Sequence, residues 1–187
     1  MGYSPWQTAM ELWEEKSGIR TAKDLSDSDV VQRGNRFEPL LREMYKAQHT
    51  DSLVKHHPYD VLYQPDLPWL AATLDGEVTE VAEDGTMHNG VLEIKTATCI
   101  RKADYDKWRD GIPQHYYIQT LHQLLATGFE FVDVYAALFG MNGNISIREY
   151  RIERKGREAD LDWLRAQETE FWDSVQRGIM PAQTIRI

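Results

Sequence analysis

Asp75, Glu93 and Lys95 stand in two stretches, "LAATLDGEVTEV" and "GVLEIKTAT", that otherwise read as apolar or small. Alternate residues of a strand point to one face, so Glu93 and Lys95 share a face while Ile94 points the other way. Glu93 follows Gly-Val-Leu and Asp75 lies in an alanine-rich run, so neither sits on an obviously solvated face. Mg²⁺ takes oxygen ligands in near-octahedral geometry and usually keeps several waters. Asp75, Glu93, the Ile94 backbone carbonyl and waters would meet that demand. A cation so held polarises a phosphate oxygen and acidifies a bound water. Lys95 could orient or help deprotonate that water, and its charge would steady the phosphate. With Glu38 and Gln119 the candidate set is complete, and the chemistry it asks for is phosphodiester hydrolysis. Spacing alone leaves ordinary alternatives open. Asp-Gly also makes a plain turn, Glu-x-Lys a solvated ion pair, and Glu38 and Gln119 plain polar positions on helix faces.

The elements that must position these residues are legible from punctuation and period. "SPWQTAMELWEEKSG" reads as a helix, with Ser4 as cap, Gln7 three residues on, Pro5 at the first helical position and Gly18 at the stop. "DSDVVQRGNRFEPLLREMYKAQH" reads as helical with a stripe of Val30, Phe37, Leu41, Met44 and Tyr45. Gly34 and Pro39 predict two pieces or a kink near Glu38. Between Leu53 and Thr98 short strand-like runs follow. "TLDGEVTEV" and "GVLEIKTAT" flank the turn-rich "AEDGTMHNG", which predicts a hairpin. "IPQHYYIQTLHQLLATG" returns to helix, and "FVDVYAALFG" and "ISIREYRIE" are two strands joined by "MNGN". "READLDWLRAQETEFWDSVQRG" closes as an amphipathic helix with Leu161, Leu164, Phe171 and Val175 on one face. This order predicts an α/β sheet with helices on its faces, in one domain spanning 1–187.

Bulk properties narrow the classes. No apolar run approaches the roughly 18 residues of a membrane span. The first residues lack a basic-then-apolar signal pattern, so the cytoplasm is the expected compartment. Cys99 is the only cysteine, which excludes a disulfide framework and any four-cysteine metal site. The six histidines show no convincing zinc spacing, neither His56 with His57 nor His115 with His122. A net charge of −9 argues against non-specific nucleic-acid binding by the whole surface, and leaves room for a local basic groove.

Four segments, in order, resemble the YqaJ-type viral recombinases, the lambda-exonuclease-like family within the PD-(D/E)xK nuclease superfamily. "YSPWQTAMELWEEKSG" is similar to the family's opening Ser-Pro…Leu-Trp…Lys-Thr-Gly segment, and "RGNRFEPLLREMY" to its Gly-x-x-x-Glu-Pro…Tyr helix. "TLDGEV" with "GVLEIKT" resembles the nuclease core, and "IPQHYYIQTLHQLLATG" the Pro-x-x-Tyr-x-x-Gln…Thr-Gly helix. The resemblance implies a restriction-endonuclease-like core, a central mixed β-sheet flanked by helices. It implies Asp75 and Glu93 as metal ligands with the Ile94 carbonyl, and Lys95 as the catalytic lysine. Glu38 would complete the metal site, directly or through water, and Gln119 would lie near the lysine and the attacking water. Thr73 and Arg101 fall where the family contacts DNA phosphate. The proline usual before the family's aspartate is Leu74 here. Relatives also often carry an Ile-Gly-Gly-Ser-Asp-like segment ahead of "YSPW". A truncated N-terminus, or a different way of holding a 5′ end, is therefore expected.

The activity so implied is a Mg²⁺-dependent exonuclease, with Mn²⁺ able to substitute, digesting linear double-stranded DNA from 5′ to 3′. Its expected partners are DNA ends and a single-strand annealing protein, in phage-type recombination within a bacterial host. A homo-oligomeric ring, a trimer, with an acidic outside and a basic bore would reconcile −9 with DNA. The competing readings are an endonuclease of restriction or repair type on the same core, and a catalytically idle DNA-binding module.

Overall fold

A computed structural model describes residues 4–181, the side chain of Asn142 excepted. Helix α1 (Ala9–Lys16) starts later than its punctuation suggests, because Thr8 rather than Ser4 caps it. The Thr8 hydroxyl accepts from the Glu11 N–H at 3.2 Å, and Glu11 accepts from the Thr8 N–H at 2.9 Å. This reciprocal box satisfies two otherwise orphaned donors, whereas the Ser4 hydroxyl accepts from the Trp6 N–H in a tight turn ahead of the helix. Gly18, at φ +73°, ends the helix as expected, with the Ile19 N–H reaching back to the Glu14 carbonyl.

Helix α2 (Asp29–Gln48) runs unbroken through Gly34 and Pro39, where two pieces or a kink were expected. A proline inside a helix costs about 3 kcal/mol. Leu41 and Tyr45 are buried against Val54, Val78, Leu92 and Ile94, and burial of such side chains contributes about 1.5–3 kcal/mol each. Packing therefore outweighs the break. It also rotates the inward face, so that Leu41, Arg42 and Tyr45 are buried while Val30 and Met44 are exposed.

Strands β1 (Ser52–Lys55), β2 (Leu62–Gln64), β3 (Leu67–Ala72), β4 (Gly76–Val81) and β5 (Met87–Thr98) follow, then the short helix α3 (Lys102–Asp106). Helix α4 (Gln114–Thr127) crosses to β6 (Phe131–Phe139), which turns through a single 3₁₀ step into β7 (Ile145–Glu153). Helix α5 (Glu158–Arg177) is the last element among the described residues. The main sheet has the order β1-β4-β5-β6-β7, and β5 and β6 are its parallel pair. A separate β2–β3 hairpin packs on α4. β6 is buried along almost its whole length, as its near-continuous apolar sequence requires of a strand covered on both faces. Val91 joins the α4–α5 face of the sheet, while Leu92 and Ile94 join the α2 face. By alternation Glu93 and Lys95 face α4. In α5, Leu161 and Leu164 are buried, and Phe171 and Val175 are only partly covered.

The β4–β5 hairpin turns at Ala82–Thr86 around Gly85, at φ +83°, and not at Asn89-Gly90. Met87–Gly90 instead extend β5. Gly90 lies opposite Phe131, and a Cβ there would fall 2.2 Å from the Phe131 ring. The glycine is needed for close packing rather than for a turn. Gly90→Ala should therefore lower unfolding free energy by about 1–3 kcal/mol, the usual cost of overpacking a core. Urea unfolding curves for the two proteins check this, and coincident midpoints would refute it.

Candidate active site

β4 begins at Gly76, opposite Leu92 of β5, so Glu93–Thr98 pair with a strand on the β6 side only. The open edge this leaves is where the site forms. Asp75, in the bend immediately before β4, accepts the Ile94 N–H on its Oδ2 at 2.7 Å. N–H and C=O of one strand residue project to the same side, so the Ile94 carbonyl faces that edge too. Arg42 of α2 fixes the bend from behind, its Nε donating to the Asp75 carbonyl at 2.6 Å. The same guanidinium holds Glu38 Oε1 at 2.5 Å, one helical turn earlier.

Glu93 is 3% exposed, and three donors from two elements hold it. Gln119 Nε2 of α4 donates to Oε1 at 2.7 Å. Gln123, one turn further along α4, donates to Oε2, and Lys95 pairs with Oε1. The Lys95 ammonium also sits 5.0 Å from the centre of the Tyr116 ring, over its face. A cleft of about 410 Å³ opens onto these groups, lined by Glu38, Thr73, Asp75, Glu93, Ile94, Lys95 and Gln119 among others. Seven of the eight residues singled out in the sequence thus share one cavity. Arg101 does not line it. It caps α3, with its side chain 81% exposed and 3.6 Å from Asp104.

The electrostatics are lopsided. Burial, then the charge of Glu93, push the Asp75 carboxyl up to about 7, against the Ile94 N–H that favours its ionised form. Glu38 adds to the rise and Lys95 opposes it. Burial alone would lower the Lys95 pKa, but Glu93 and then Asp75 more than offset this, and the group lies above its ordinary value. Lys95 is therefore an ammonium at neutral pH.

Two contributors escaped the sequence reading. Gln123 lies four residues after Gln119 and Arg42 four after Glu38, so each shares its partner's helix face. That spacing was the available signal.

Among the described residues, no three His, Cys, Asp or Glu side chains are grouped closely enough to hold a metal ion by themselves. Two carboxylates and a backbone carbonyl, all oxygen donors, still suit a hard cation that keeps several waters, as Mg²⁺ does. Glu38 lines the same cleft with its carboxylate engaged by Arg42. The Asp75 carboxyl is raised first by burial and then by the charges of Glu93 and Glu38, which Lys95 only partly offsets, and a bound cation would relieve both.

A family model, the YqaJ-like viral recombinase domain, matches residues 1–130. The chain belongs to this family. A search of curated proteins finds no match. Among solved structures, the alkaline exonuclease LHK-Exo of Laribacter hongkongensis superposes with a TM-score of 0.64 and 19% identity, over 91% of this chain and 79% of that one. The same enzyme in complex with dAMP gives 0.63 and 20%, over 91% and 78%. At these identities the likeness shows the fold, a restriction-endonuclease-like core with a mixed sheet flanked by helices. The YqaJ-like match spans α1, α2, the β4–β5 hairpin and α4, and so takes in every element that contributes to the cleft. Family and fold together support a nuclease role.

The Asp75 shift has a measurable sign. A carboxyl whose pKa is raised on folding stabilises the protein fully below the ordinary carboxylate range, and that contribution is lost as pH rises to about 7. Asp75→Asn keeps an oxygen for the Ile94 N–H but cannot ionise. In EDTA at pH 8 it should be more stable than wild type by about 1–3 kcal/mol, with the gap closing toward pH 4. Denaturant unfolding at the two pH values checks this, and an Asn variant weaker than wild type at pH 8 would contradict it.

Proposed function

We propose that this chain is a Mg²⁺-dependent exonuclease, with Mn²⁺ able to substitute, that hydrolyses phosphodiester bonds of linear double-stranded DNA from 5′ to 3′. The single strands so produced would feed an annealing protein in phage-type recombination, in the cytoplasm of a bacterial host. A ring of identical subunits, a trimer, would close around the duplex. The observation that carries the proposal is the meeting of Asp75, Glu93, Lys95 and Gln119 at the open edge of β5. Membership of the YqaJ-like recombinases and a fold shared with an alkaline exonuclease support it.

Bound between Asp75, Glu93 and the Ile94 carbonyl, a divalent cation would supply Lewis acidity and an acidified water. The chain's own groups do the rest. Glu93 is kept in one orientation by Gln119 and Gln123, so its carboxylate loses little freedom when a ligand arrives. Lys95, held as an ammonium by Glu93, donates toward a phosphate oxygen and stabilises charge that grows as the bond breaks. In that state it cannot take a proton, so its role is electrostatic. Thr73, exposed on the cleft wall, offers a hydroxyl to the neighbouring phosphate.

Linear duplexes labelled at either end, with and without 5′ phosphate and with Mg²⁺ or EDTA, test the reading. Label should be released from the 5′ end in Mg²⁺ alone, and a covalently closed circular duplex should survive. Cutting of the circle would indicate the endonuclease instead. Asp75→Ala and Lys95→Ala should each lose several hundred-fold or more, given the roughly 10²–10³ typical of removing one electrostatic stabiliser. Undiminished activity in either variant would overturn the assigned chemistry.

A further inference from the structure

His122 lies on α4 between the two amides that hold Glu93, three residues after Gln119 and one before Gln123. Its Nδ1 is 2.8 Å from Glu168 Oε1 on α5, and its Nε2 is 2.9 Å from the Ala71 carbonyl near the end of β3. The carbonyl can only accept, and so can the carboxylate when ionised. A neutral imidazole has one N–H and can serve one of them, whereas an imidazolium serves both.

Three elements, α4 of the cleft and β3 and α5 packed behind it, therefore meet at one ring. Ala71 is two residues from Thr73 and four from Asp75, so the contact at Nε2 steadies the segment that delivers Asp75. The contact at Nδ1 fastens α4 to α5. We propose that His122, as an imidazolium, is a positioning residue that clamps α4 between β3 and α5 and thereby holds Gln119 and Gln123 against Glu93. The catalytic consequence rests on the nuclease reading above, but the clamp itself does not.

Other charges around α4 do not compete for this role. From α5 the group facing His122 is Glu168, 6% exposed, whose Oε2 has no hydrogen-bond partner among the described residues. Asp160 of α5 accepts from the Tyr117 hydroxyl, and Arg154 donates to the Leu124 and Phe129 carbonyls. From β5, Glu93 and Lys95 reach α4 through Gln119 and Gln123. Asp133 of β6 is engaged by Tyr45 and Arg151 instead. β2 contributes the neutral Gln64, which binds the Leu125 carbonyl. His115, two turns earlier on α4, lines the same cavity of about 280 Å³ as His122 and Glu168. With 30% of its side chain exposed, His122 can exchange its proton with solvent through that cavity.

The direction of titration agrees with the geometry. Burial would lower the His122 pKa, but the hydrogen bond to Glu168 and its charge more than compensate, and the group lies above its ordinary value. A histidine with a raised pKa contributes to stability below its unfolded value, and loses that contribution as pH climbs through the folded one. The clamp is thus closed on the acid side of that folded value and opens as pH climbs through it.

The test combines ring-nitrogen NMR with kinetics. In wild type at pH 6, both ring nitrogens of His122 should carry protons, and the Gln119 and Gln123 side-chain amide signals should shift as His122 titrates. Glu168→Gln keeps an oxygen facing Nδ1 but removes the charge. It should lower the His122 titration midpoint by about one pH unit or more. With Mg²⁺ and labelled duplex, the alkaline fall in kcat should move down by the same interval with KM within about twofold. The unfolding temperature should fall more at pH 6 than at pH 9, where the imidazole is neutral in both proteins. His122→Gln should lower kcat about tenfold and flatten that limb. A neutral imidazole at pH 6, or amide signals indifferent to its titration, would overturn the clamp. So would a Glu168→Gln profile superimposable on wild type. A wild type that cuts no DNA would instead sink the nuclease reading, and the NMR titration would still decide the clamp.

Discussion

β4 stops at Gly76 while β5 runs on to Thr98, and the arrangement of the site follows from that mismatch. Past the end of β4 the backbone of Ile94 loses its strand partner on that side. A buried donor left unpaired costs about 1–3 kcal/mol, so something must meet the Ile94 N–H. Asp75 does so at 2.7 Å, which draws its carboxylate to the strand edge beside Glu93. Gly76 makes the approach possible. A Cβ there would stand 3.2 Å from the Leu92 side chain and press on Val54 as well. The Asp-Gly pair is thus read best as the end of a ladder, with Arg42 bracing the bend through the Asp75 carbonyl.

The two carboxylates at that edge are treated differently by their surroundings. Glu93 is saturated with donors, one of them charged, and can be buried at little net cost. Asp75 is buried with a single N–H and two acidic neighbours, so it answers by holding its proton. Structural ion pairs are usually better balanced than this. Arg151 shows the contrast on the other face of the sheet, where it forks to Asp133 and Glu80 and is fully matched. An unbalanced cluster beside a balanced one is what separates a site meant for a further ligand from a site meant for stability.

How much of this was legible in the sequence depends on the range of the interaction. The buried strand "FVDVYAALF", the stop at Gly18 and the hairpin around Asp75 and Glu93 are local, and their residue types declare them. The helix through Pro39 was not legible, because what sustains it is packing of Leu41 and Tyr45 against strands far along the chain. Thr8 lost to Ser4 as expected cap although its capping box was in plain view, since the proline after Ser4 gave the stronger punctuation. Arg101 was assigned by motif distance from Glu93. That distance measures chain length and not direction, and the chain places Arg101 exposed at the start of α3, outside the lining of the cleft. Gln123 and Arg42 were recoverable from helical spacing alone. What hid them was the absence of any reason to ask what the buried carboxylate of Glu93, or the bend at Asp75, would need for company.

Charge ties the site to its proposed substrate. Within the cleft and its immediate braces, Glu38, Asp75 and Glu93 face Lys95 and Arg42, and the chain as a whole carries −9. A polyanionic backbone approaching such a surface meets repulsion at distances inside the roughly 8 Å Debye length of physiological salt. Nothing in the cleft reverses that sign by itself, because Lys95 is spent on Glu93 and Arg42 on Glu38 and the Asp75 carbonyl. If the backbone of DNA is what enters, its binding and the binding of a divalent cation must be mutually favourable, each lowering the cost of the other's charge. The same reciprocity requires that the proton on Asp75 leave when the cation arrives. Cation, proton and nucleic acid are then three ligands of one small electrostatic unit, and the strand edge at Ile94 is the scaffold that forces them to share it.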